Sequence, residues 1–60
     1  MYTAAAKAPI GTRVATGGVC PESGVWKVEG TPTTTAPIAK HNRMPPYLGR
    51  AVVWVLSQYA

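Results

Sequence analysis

Alternation of apolar and polar side chains is the main ordering signal in this chain, and three stretches carry it. In the first, 10–16, Thr12, Val14 and Thr16 alternate with Arg13 and Ala15, which predicts a short half-buried strand. In the second, 25–29, Trp26 and Val28 fall on one side and Lys27 and Glu29 on the other, with Gly30 closing the run. This is the clearest strand pattern in the chain. The third stretch, 48–60, is ambiguous by spacing alone, because Leu48, Ala51, Val52, Val55, Leu56 and Tyr59 also satisfy a helical template. Residue type favours strand over helix without closing the choice: Val52, Val53, Trp54 and Val55 are all β-branched or aromatic, and Gly49 stands before them. Apolar residues on both of its faces suit a central strand covered on each side.

The segments between these runs are punctuated by glycine and proline. Gly17-Gly18-Val19-Cys20-Pro21-Glu22-Ser23-Gly24 leads into Val25-Trp26. Glycine permits positive φ, and proline fixes its own φ and pushes Cys20 toward extended geometry, so this reads as a rigid corner that aims Trp26 into the core. Thr31–Ile38 has four threonines and two prolines. Threonine favours extended chain, but proline donates nothing to a ladder, so a loop or an edge strand is expected. Residues 39–50 form a basic loop whose Pro45-Pro46 pair forces an extended course, with Met44 as its anchor on the core. Residues 1–9 are small and weakly patterned and read as a loosely held arm, leaving 10–60 as the single domain.

Length limits what this domain can bury. A chain of 60 residues removes only about 60% of its unfolded surface from water. Phenylalanine is absent, so Trp26 and Trp54 should dominate a core completed by Val14, Val28, Met44, Val52 and Leu56. The usual supports of so small a core are missing from the composition. One cysteine cannot close an internal disulfide, and one histidine with it falls short of a structural zinc site, so no metal and no cofactor is expected. The longest apolar run, Ala51–Leu56, is far shorter than the ~20 residues of a spanning helix, so no membrane insertion is expected. With no convincing leader segment and a lone thiol, the expected location is cytoplasmic.

Charge narrows the choice of partner. Six basic residues against two acidic ones give a net charge of +4. That balance favours anionic partners in general. Lys40, His41, Arg43 and Arg50, with Tyr47 among them, are the candidate contacts: cations for phosphates and a ring on which a base stacks, or else a solvated loop. Catalytic readings are weaker. Cys20 with His41 as base would be the one nucleophilic pair, against a simple packed turn thiol. Glu22 and Glu29 show no general-acid arrangement, and the corner glycines match neither the dinucleotide fingerprint nor the phosphate loop.

The run Gly18-Val19-Cys20-Pro21-Glu22-Ser23-Gly24-Val25-Trp26, then Asn42-Arg43-Met44-Pro45-Pro46, then a terminal aromatic strand centred on Trp54, resembles the YjzC-like family of very small bacterial proteins. The match covers about residues 11–56. The resemblance implies a compact SH3-like β fold and no established activity. Some relatives add cysteines that would suit zinc, where this chain has Lys27, Val28 and Tyr47.

The expectation is therefore an all-β domain, either a small SH3-like barrel or a strongly twisted antiparallel sheet of about four to five strands, closed or nearly closed. Its expected role is a non-enzymatic binding or assembly module that uses sheet edges and the basic loop to meet a protein partner or a second copy of itself as a homodimer. Weak nucleic-acid binding through 40–50 is the alternative.

Overall fold

The computed structural model describes residues 7–60. They form one antiparallel sheet of four strands: β1 (Arg13–Ala15), β2 (Gly24–Val28), β3 (Thr35–Ile38) and β4 (Val53–Tyr59), in the spatial order β1-β4-β2-β3. Among the described residues there is no helix, and none is long and apolar enough to cross a membrane. The run that spacing left ambiguous is thus the central strand. β4 pairs with β1 along one edge and β2 along the other, and its two faces differ: Trp54 and Leu56 are buried in the core, while Val53 and Val55 on the opposite face are half-buried. Val14 lies opposite Trp54, and Trp54 lies opposite Val28. Trp26 pairs with Leu56 two positions along, so both indoles enter the same face on neighbouring strands.

Of the two expected forms, the antiparallel sheet is the one present; it is not closed into a barrel, and both edges show why. β1 has only three residues. β3 contains Pro37, opposite Val25. Val28 donates to Thr34, so even-numbered residues of β2 bond toward β3, and Pro37 turns its nitrogen to the free edge. An edge that lacks a donor at its centre is a poor template for another strand.

A second layer replaces the missing closure. Residues 17–20 of the glycine-proline corner run antiparallel to 41–44 of the basic loop. Gly17 donates to Met44 (2.9 Å), Met44 to Gly18 (2.8 Å), Cys20 to Asn42 (2.7 Å) and His41 to Cys20 (2.8 Å). This irregular ribbon lies over the inner face of the sheet and lowers Cys20 and Met44 onto the tryptophans. The core is Cys20, Trp26, Val28, Ile38, Met44, Trp54 and Leu56. Val14 and Val52, expected at its centre, are only partly buried at its margin, while Cys20 and Ile38 take those places.

At the far end of β2 a bulge sets the geometry. Val25 pairs with Gln58 but Trp26 with Leu56, which makes Ser57 the extra residue. The Ser57 hydroxyl donates to the Val25 carbonyl at 2.9 Å. The two backbones come so close there that a Cβ on Gly24 would collide with the Gln58 carbonyl oxygen and lie 2.9 Å from Leu56 Cδ1.

Of the expected N-terminal arm, 1–6 lie outside the described residues, and 7–9 are fastened to the domain. The Tyr59 hydroxyl donates to Ala8 O at 2.9 Å, Ala8 N donates to Glu22 Oε1 at 3.3 Å, and Lys7 Nζ sits 4.6 Å from the Tyr59 ring centre.

Candidate functional site

Past Glu29 the central ladder opens. Glu29 N donates to Val53 O at 2.9 Å, and beyond this bond β2 turns away through Gly30 toward Pro32. On the other side the chain reaches β4 from a tight hairpin, Tyr47-Leu48-Gly49-Arg50. Tyr47 N donates to Arg50 O at 3.0 Å and Arg50 N to Tyr47 O at 3.1 Å. Leu48 has φ 54° and Gly49 φ 72°, the two positive values of a type I′ turn. Glycine suits such a position, and asparagine or aspartate is the usual companion; a leucine held there is strained by about 1–2 kcal/mol. Its side chain recovers little from burial, being 69% exposed.

The splay leaves a groove of about 490 Å³ between the hairpin and the β2–β3 turn. Val28 and Val52 line its depth, Pro32, Tyr47 and Leu48 its sides, and Glu29 and Arg50 its rim. The rim charges differ in availability. Glu29 is bound to Arg13 Nη2 at 2.5 Å, whereas Arg50 has no carboxylate partner among the described residues.

The five candidate contacts fall into two groups on different elements. Lys40, His41 and Arg43 belong to the ribbon; Tyr47 and Arg50 face each other across the hairpin. Of the first group, among the described residues, only the Arg43 side chain is engaged; Lys40 and His41 are held through their backbones and their side chains are exposed. Lys40 N donates to Ser23 Oγ at 2.7 Å, His41 bonds Cys20 through its backbone at φ 79°, and Arg43 Nη1 donates to Gly17 O at 2.8 Å. Arg43 thereby holds the ribbon together. Tyr47 packs partly buried against the core, while Arg50 is exposed.

The Cys20 thiol is fully buried and lies 3.1 Å from Glu22 O and 3.8 Å from Ile38 O. Its environment is that of the packed turn thiol. Among the described residues no three histidine, cysteine or carboxylate side chains gather as metal ligands would.

Leu48, Pro32 and Val52 were not among the expected contacts. A Leu-Gly pair between Tyr47 and Arg50 is a hairpin signal in retrospect, but the usual signal is Asn-Gly or Asp-Gly. Fold and groove together define a small, single-sheet all-β domain with one open ladder end. No family model, curated protein or solved structure matches the chain.

Proposed function

We propose that this protein is a non-enzymatic binding module that meets a protein partner through the groove beside the Tyr47–Arg50 hairpin. The observation that carries the reading is Leu48, a large apolar side chain held in a left-handed conformation and exposed to solvent. Stability alone would favour asparagine at this turn position, since it tolerates that conformation and costs no exposed apolar surface. A strained, exposed leucine at the lip of a groove is accounted for by a contact made outside the chain.

Two other readings have less behind them. Nucleic-acid binding by Lys40, His41 and Arg43 would draw on an arginine already engaged by Gly17 O. Pairing of two copies edge to edge would draw on a three-residue strand or on one interrupted by proline.

Leu48→Asn tests the proposal without risking the fold. The variant should melt at the same or a higher temperature than the wild type, yet lose the partners that the wild-type chain captures from its native cell by cross-linking. Equal capture by both proteins would refute the reading.

A further inference from the structure

We infer that the groove takes an extended, acidic-apolar peptide segment of its partner, laid beside Ala51 in the open end of the ladder with a carboxylate on Arg50. The inference rests on the reading of this groove as a protein-binding site and adds the chemistry of what enters it.

The first support is the backbone of the open ladder. Val52 is joined to Thr16 by both of its main-chain groups, and Val53 O accepts from Glu29 on the opposite side. Main-chain groups alternate along a strand, so Ala51 presents its N–H and C=O to the β2 side, where β2 has already turned away. Among the described residues neither group of Ala51 has a hydrogen-bond partner, and the same holds for the backbone of Gly30 and Thr31 across the gap. Donors and acceptors at strand spacing beside an apolar floor are what an incoming strand satisfies. A nucleic-acid strand carries no such alternating amide groups.

Charge supplies the second support. The chain has two acidic side chains, and both are engaged: Glu22 accepts from Ala8 N and Glu29 from Arg13. Among the described residues Arg50 has no counter-ion, and it lines the groove with Leu48. The complementary segment therefore places an apolar side chain against Leu48 and Val52 and an acidic one at Arg50. Both side-chain carboxylates of a second copy already have a partner within their own chain, so the acidic segment is assigned to a different protein.

The probe is a short blocked peptide of alternating glutamate and leucine, titrated into the isotope-labelled full chain and followed by amide shifts and hydrogen exchange. Shifts should concentrate at residues 48–53, and the Ala51 amide should gain protection from exchange, which simple charge attraction would not give. Arg50→Glu should weaken binding about tenfold or more, as expected for loss of a charge-assisted hydrogen bond. A lysine-leucine peptide and a backbone-methylated glutamate-leucine peptide should both bind at least about tenfold more weakly. Equal binding of the lysine peptide, shifts confined to Lys40–Arg43, or an unprotected Ala51 amide would each overturn the inference. A single-stranded oligonucleotide shifting the groove as strongly as the acidic peptide would also overturn it. Leu48-dependent capture that ignores Arg50→Glu would leave the groove reading standing and remove only this one. Capture unaffected by Leu48→Asn would remove the groove reading itself.

Discussion

The indole nitrogen of Trp54 donates to the carbonyl oxygen of Pro45 at 2.8 Å. This one bond ties the start of the central strand to the proline pair that follows the ribbon. Trp26 makes the matching bond on the other flank, donating to Glu22 O at 3.1 Å in the corner turn. Each buried indole thus has its polar end satisfied by a loop carbonyl, and each loop is held where its apolar residue, Met44 or Cys20, closes the core. Truncating Trp54 or Trp26 to alanine removes packing and a loop tether together. The expected cost is about 3–5 kcal/mol, comparable to the whole stability of a small domain. Each alanine variant should be largely unfolded at room temperature by near-UV circular dichroism, and a native signal from either would contradict this account.

Gly24 is the second point where substitution should be costly, and for a reason of space. Its φ is unexceptional, but the bulge at Ser57 brings the Gln58 carbonyl into the volume a Cβ would fill. Gly24→Ala forces β2 from β4 and should cost about 3 kcal/mol, the upper part of the overpacking range. Gly49 offers the contrast, since a Cβ there meets no atom within 4 Å and only its φ of 72° resists substitution. Gly49→Asn should therefore be much milder than Gly24→Ala in a denaturant titration. Equal losses would mean that the close approach at the bulge is not what selects glycine.

Much of this was legible in the sequence, because pattern and residue type agreed. Trp26 and Val28 against Lys27 and Glu29 located β2, and the β-branched run around Trp54 favoured strand for β4 over the helix its spacing also allowed. Pro37 announced an edge. The open sheet was not legible, because closure depends on whether β1 and β3 can meet, and no local pattern records that. Nor was the pairing of 17–20 with 41–44. Its bonds join positions more than 20 residues apart in a stretch without alternation, so the corner and the basic loop read as separate features. The groove was half visible. Tyr47 and Arg50 stood out by type, but Leu48 entered only as one position of a helical template, and its backbone angle and exposure are what mark it as a surface residue.

Thr16 is a junction that its place in a weak strand pattern did not reveal. Its hydroxyl donates to Pro45 O at 3.0 Å and accepts Val52 N–H at 2.9 Å, while its own N–H reaches Val52 O. One side chain therefore links β1, the lead into β4 and the proline pair. Thr16→Val keeps the shape and leaves the Val52 N–H unpaired, which should cost about 1–3 kcal/mol. Thr16→Ser keeps the hydroxyl and should cost clearly less. If the two variants unfold at the same denaturant concentration, the hydroxyl network contributes nothing measurable.

The outer face of the sheet bears on self-association. Val53 and Val55 point away from the core and are half-buried, not bare. Arg13 lies opposite Val55 on one side of β4, and Lys27 lies opposite it on the other. The Arg13–Glu29 ion pair then crosses β4 from β1 to the end of β2. As an exposed pair it adds at most about 1 kcal/mol to stability. Its larger consequence is cover: to reach Glu29 the Arg13 stem must cross the outer face beside Val55, its charged end staying in water. With this face partly covered from within the chain, a second copy is not needed to cover it. Light scattering of the wild type should give the monomer mass up to high micromolar concentration. Arg13→Ala removes the crossing and bares the valines, so its apparent mass should rise with concentration. A wild type that doubles in mass over the same series would show that the face pairs despite its cover, and the homodimer would then be the working form.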